Sequence, residues 1–352
     1  MQGSLERVRA VINGEMPDRA PLYDLLRNDA VIGHFAGKVL TIENAPEVVY
    51  STFEPAVDAT RPLVRLPERE RTETLKDGRE RRFFRWTIWT ERFQYSDSAD
   101  YETVKRKFLD RFDPAWNDDK QKALEARLTF IETEREHLGE VFYLPGGPSM
   151  GLWGIINEVG LEHFSYYLAD CPGIIDALLE CSTLNTLAFI EHLPPDHTIE
   201  AVFSGDDIAF KSGPMVNPSW FATHYFSRLA RICAAYHKKG IKVLFHSDGN
   251  LNPILDGLVE AGIDGLNPIE VLADMDVAEI HRRYPNLFMC GAIDVSQLLP
   301  FGTPQDVYDT VARTIDAAEG RIMIGSSTEL NNEVPIENYL ALRRAALEHP
   351  YR

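Results

Sequence analysis

Val243, Leu244 and Phe245 lead straight into His246, Ser247, Asp248 and Gly249. An apolar stretch that ends in an imidazole, a carboxylate and a turn-forming glycine brings polar groups to the end of a buried strand. Two kinds of chemistry suit those residue types. One imidazole with two or more carboxylates makes a nitrogen-and-oxygen site for Zn²⁺ or a harder divalent ion. Without a metal, the same groups serve as general acid and base, the carboxylate setting the imidazole tautomer. His246 and Asp248 are two positions apart, so on a regular strand both face one side. That spacing does not separate a metal pair from an acid–base pair. The plain alternative is a core histidine bonded to a backbone carbonyl.

The surrounding elements must place these groups. From about residue 197 the text alternates between apolar strands and amphipathic helices. Strands are expected in 198–207, 241–250, 263–270, 286–294 and 321–329, each followed by a helix. Asn217 and Pro218 open one of these helices and Gly240 closes it. Strands that are apolar throughout, separated by helices, imply a parallel sheet covered on its faces. Three more strand candidates lie earlier: one in 20–25, one after the helical stretch that starts at Glu47, and one in 140–149. Eight in all predict a (β/α)8 TIM barrel, with residues 1–352 as a single domain. An open doubly wound sheet is the rival, and no GxGxxG fingerprint favours it. Lys76, Asp77 and Gly78 form a turn between two β-rich runs, so residues 71–93 read as a β-hairpin insertion.

In a barrel, the C-terminal strand ends form the active-site face. Those ends supply Tyr23, Asp24 and Arg27; Pro148 and Ser149, with Trp153 just beyond; Asp206 and Asp207; His246 and Asp248; Asn267 and Glu270; Asp294; and Ser326, Ser327 and Glu329. Tyr23, Arg27, Asp207, His246 and Asp248 are the candidate catalytic residues. Ser149, Trp153, Asn267, Asp294 and Ser327 are candidates for substrate binding. His246, Asp248, Asp207 and Glu270 are candidate metal ligands. Several also fit local roles: Asp206 as a cap, Asn267 before Pro268 as a loop pair, Asp294 as a helix-entry residue.

Composition narrows the partners. Formal net charge is -18, which repels phosphate backbones and disfavours nucleic acid and anionic membranes. No uninterrupted apolar run reaches the length of a membrane span, and the N-terminal residues lack a secretory pattern, so a cytoplasmic location is expected. The four cysteines are scattered, without a CxxC pair, and indicate neither a disulfide framework nor a thiolate zinc knuckle.

Four stretches together resemble the uroporphyrinogen decarboxylase superfamily: residues 7–23, 240–270, 291–315 and 325–349. The resemblance implies a (β/α)8 barrel and a homodimer. It also implies either cofactor-free decarboxylation in porphyrin synthesis or metal-dependent methyl transfer involving a corrinoid on a partner protein. The decarboxylases hold propionates with two arginines around a Gln-Ala-Gly segment; here only Arg27 remains. The thiol-directed methyltransferases bind zinc through His-x-Cys-Gly and a later Gly-Cys. Here these become His246-Ser247-Asp248-Gly249 and Gly325-Ser326, so the histidine stays and both cysteines are gone. Aspartate can replace a cysteine ligand, and an oxygen-rich site for Zn²⁺ or another divalent metal fits better than a thiolate one. The leading expectation is a methyltransferase acting on a small O- or N-methylated donor. The alternatives are the decarboxylase and a non-catalytic barrel that binds a small ligand.

Overall fold

The computed structural model describes residues 2–351. Five parallel strands form one continuous sheet, in the order Ala201–Gly205, Lys242–His246, Gly265–Asn267, Phe288–Ile293 and Ile322–Ser326. Three shorter segments carry the pairing onward. Ala59–Thr60 pairs in parallel with Phe142–Tyr143. Single parallel bridges join Leu22 to Ile324, Tyr23 to Ala59 and Gly146 to Phe203. Pairing therefore runs through eight segments in chain order and returns to the first, the arrangement of a (β/α)8 barrel whose first three staves are short.

Strand parity divides the core. Tyr23, Ala59, Phe142, Leu144, Ala201, Phe203, Leu244, Phe288, Cys290 and Met323 fill the lumen. Val8, Val11 and Ile12 of the helix Ser4–Asn13 belong to the same cluster and plug one end. The alternate residues Val202, Val243, Phe245 and Leu266 pack outward beneath the helices. Successive strand side chains point to opposite faces, so Leu244 inward makes His246 inward and Phe203 inward aims Asp207 the same way. The residues at the strand exits inherit this parity.

The expected hairpin forms between Arg71–Thr74 and Glu80–Phe83, and a third strand, Ile88–Thr90, extends it into an antiparallel sheet. The helix expected over 217–240 is broken at Tyr225 into Pro218–His224 and Phe226–Lys238. Between the second and fourth barrel strands lie long helices that the strand–helix rhythm did not reveal, Ser98–Leu109, Asp118–Leu138 and Pro172–Glu191. The last is long and apolar enough to cross a bilayer. Here it packs against Phe226–Lys238, with Asp176 and Glu180 each 2.9 Å from Arg228.

Candidate active site

His246 ends the fifth barrel strand in register with Asn267 on the sixth. Its Nδ1 lies 2.8 Å from Asn267 Oδ1, while the Asn267 amide nitrogen faces the Cys290 carbonyl at 3.4 Å. The amide oxygen therefore accepts the Nδ1 proton, and Nε2 is left as a lone pair. Fixing a ring tautomer through the opposite nitrogen is the usual support for a metal-binding or proton-accepting imidazole. Nε2 points at Asp207 Oδ1, 3.4 Å away. The ring packs on Phe203, with centroids 4.9 Å apart. Burial, and then the charge of Arg61, push the His246 pKa down to about 3, so the imidazole is neutral.

Asp207, His246 and Asp248 offer one donor atom each, all within 4.8 Å of one another. Gly249 makes room for the turn beyond Asp248: its φ is +92°, and a Cβ there would lie 2.6 Å from the Ala209 carbonyl carbon. Its N–H donates to Glu270 Oε2 at 2.8 Å, so one oxygen of Glu270 braces the turn beside the other three groups. Asp248 Oδ1 is shielded from solvent without a hydrogen-bond partner among the described residues. Burial and the neighbouring Asp207 and Glu270 charges raise the Asp248 pKa to about 7. Burial also raises that of Asp207, against an Asp248 N–H donated at 3.4 Å. Two carboxylates forced together out of water favour a proton or a cation between them.

The other strand-end residues divide between the mouth and local structure. Arg27 is buried and pairs with Glu329 at 2.5 Å on the side formed by the first and eighth strands. The Tyr23 hydroxyl lies in the lumen, buried and without a partner among the described residues. Asp206 faces away from the lumen. It accepts from the Leu152 and Trp153 N–H groups and from Tyr225, at 3.3, 2.5 and 2.9 Å, anchoring the start of the helix Leu152–Val159. Trp153 is thus fixed by its backbone. The Ser149 carbonyl accepts from Ser182 and Thr186, both at 3.2 Å. Asp294 takes the N–H groups of Ser296, Gln297 and Leu298 and the Ser296 hydroxyl, so its carboxylate is occupied as a cap. The Ser327 hydroxyl accepts from Val295 N–H at 3.3 Å. Asp24 binds Ser326 and Leu25, tying the first strand to the eighth.

Arg61 was not among the sequence candidates. It leaves the two-residue strand Ala59–Thr60, is 5% exposed, and places its guanidinium 5.0 Å from the centre of the Phe203 ring that also supports His246. The signal was a charged residue directly after Thr60 and before Pro62, hidden because the stretch reads as a helix followed by a short strand with no marked end.

A family model, Uroporphyrinogen decarboxylase (URO-D), matches residues 121–349. No curated protein matches the chain. Among solved structures it is similar to a methyltransferase from Methanosarcina mazei, with 18% identity, 99% of each chain covered and a TM-score of 0.66. It is similar at a lower level to a B12-independent methionine synthase from Shewanella sp. W3-18-1, with 10% identity, 94% of this chain and 97% of that chain covered and a TM-score of 0.43. The first likeness agrees with the barrel traced by the strand pairing. The family model spans well over half of the sequence and includes the exits of the fourth to eighth strands; the chain belongs to the uroporphyrinogen decarboxylase family.

Proposed function

We propose that this protein is a metal-dependent methyltransferase. It takes a methyl group from a small O- or N-methylated donor and passes it to a corrinoid carried by a partner protein. The observation that carries the reading is the cluster of Asp207, His246 and Asp248, with a lone pair held on Nε2 and a buried Asp248 oxygen that has no partner among the described residues. One neutral nitrogen and two carboxylates suit Zn²⁺ or another divalent ion, and their two negative charges offset its charge. Such an ion, when bound, supplies Lewis acidity toward the oxygen or nitrogen that gives up the methyl.

The remaining work falls to the chain. Asn267 holds the imidazole in the tautomer that keeps Nε2 free. Glu270 and Gly249 fix the turn that turns Asp248 toward Asp207. Phe203 forms an apolar floor that keeps water from the underside of the imidazole. The metal content of the purified full chain, followed by methyl transfer from candidate donors to a free cob(I)amide, tests the reading. Stoichiometric metal, lost in His246→Ala together with activity, is the expected result. A protein that takes up no divalent ion sinks it.

One observation favours the second reading, a cofactor-free decarboxylase. Asp248, with its pKa raised to about 7, is a carboxyl able to donate a proton near neutrality. Activity that survives chelation and vanishes in Asp248→Asn would select that reading.

A further inference from the structure

We propose that the barrel mouth is bipolar and takes a small carboxylate, whose anionic end is held by Arg61 with help from Arg27 and Tyr23 while its other end meets the Asp207–His246–Asp248 cluster. The inference deepens the reading of this site as a methyl-transfer centre and rests on it only for the role of the far end.

The acidic side of the mouth comes from the fourth, fifth and sixth strands and carries Asp207, Asp248 and Glu270. The opposite side comes from the first, second and eighth. It holds Arg27 and Arg61, with Arg65 near enough to Arg27 for the two charges to repel. Among the described residues, the one carboxylate paired there is Glu329, on Arg27. Arg61 has a single hydrogen bond among the described residues, from Nη2 to the Thr328 carbonyl at 2.9 Å, and no carboxylate in ion-pair contact. Its charge acts on Asp24, Asp207 and Asp248 from beyond contact distance, and a guanidinium that is 5% exposed with one hydrogen bond, to a neutral carbonyl, is an incomplete arrangement, since buried charges are normally paired in contact.

Three orphaned polar atoms mark the same region. Arg27 Nε, Arg61 Nε and the Tyr23 hydroxyl are all buried without a partner among the described residues. All three are donors, and the charge of Arg61 reaches both Tyr23 and the His246 cluster. Neighbouring donors with no acceptor call for an oxyanion, and the guanidinium fork matches a carboxylate in particular. Phe203 lies between the two sides, touching Arg61 on one and His246 on the other. An elongated molecule with an acidic head therefore lies over Phe203, its head at Arg61 and its methylated end at the acidic cluster.

The test uses the full chain, with and without added Zn²⁺. Acetate, succinate and benzoate are titrated by calorimetry against the neutral isosteres acetamide and benzamide. At least one carboxylate should bind, and its amide should not. Arg61→Met should weaken that binding roughly ten- to hundredfold, the value of a charge-assisted hydrogen-bond pair, with Zn²⁺ uptake unchanged. Tyr23→Phe keeps the lumen filled and should weaken it by a smaller factor, which preserves the test if Arg61→Met does not fold. The proposal is overturned if none of the three carboxylates binds, if amides bind as well, or if both variants bind like the wild type. Failure of the metal reading looks different: no Zn²⁺ uptake, with carboxylate binding intact.

Discussion

His246 and Asp248 should pull the stability of the metal-free protein in opposite directions as pH falls, and single substitutions should separate them. The His246 pKa lies at about 3 in the fold, against 6.5 in an unfolded chain. Below 6.5 the unfolded state takes a proton that the folded state refuses, so this residue's contribution falls as pH falls. At 1.36 kcal/mol per unit, the loss between pH 7.5 and pH 5 is about 2 kcal/mol. The Asp248 pKa is raised to about 7, against 3.8 unfolded. Its ionised form is the costly one, so the fold recovers stability as the carboxyl is protonated below 7. Over the same interval that recovery is roughly 2 to 3 kcal/mol. In the wild type the two nearly cancel. Asp248→Asn removes the recovery and should make the protein about 2 kcal/mol more acid-labile across this interval. His246→Gln removes the loss and should tilt stability the other way by a similar amount. Urea unfolding followed by tryptophan fluorescence, in EDTA at pH 7.5 and pH 5, reads both. Titrations away from this cluster are common to all three proteins and drop out of the comparison. Equal pH dependence in both variants and the wild type would refute the assigned environments of both groups.

Other consequences are simpler to read. Asn267→Leu removes the acceptor that holds Nδ1–H, so metal affinity measured by chelator competition should fall about ten- to hundredfold with little change in secondary structure. Asp206→Ala leaves the Tyr225 hydroxyl and the Leu152 and Trp153 N–H groups without their acceptor; it should cost roughly 2 to 4 kcal/mol by denaturant unfolding while metal uptake persists. Gly249→Ala forces a Cβ into the Ala209 backbone at a positive φ, and should lower both the melting temperature and metal content because the turn carrying Asp248 must move.

Strand parity made much of the mouth legible in the sequence. An apolar run of known inward and outward faces aims its terminal polar residue, and Val243 to Phe245 aimed His246 in this way. Asn267 shares a register position with His246, and its amide, read from the sequence as a substrate-binding group, is engaged by the imidazole and the Cys290 carbonyl. Parity was a weaker guide at the adjacent pair Asp206 and Asp207, where a shift of one residue exchanges the lumen for the helix layer. There the choice rests on a contact remote in sequence: Trp153 and Tyr225 supply the donors that draw Asp206 outward. Asp294 shows the converse limit. Its place at a strand end suggests a site, yet the N–H groups two to four residues later saturate its carboxylate.

Arg61 was overlooked for a related physical reason. Its strand is two residues long, too short for periodicity to show where the strand stops and the exit begins. Its lack of an ion-pair partner is a property of three dimensions: its charge acts on Asp24, Asp207 and Asp248 only from beyond contact distance, while Glu329 is paired with Arg27. The mouth therefore combines two incomplete halves. On one side, carboxylates crowd beyond what burial tolerates, which favours a cation. On the other, guanidinium and hydroxyl donors lack acceptors, which favours an anion. Each deficiency alone would weigh against a stable fold. Both halves contact Phe203, through Arg61 on one side and His246 on the other, and they supply the two ends of the proposed site, which demand opposite charge.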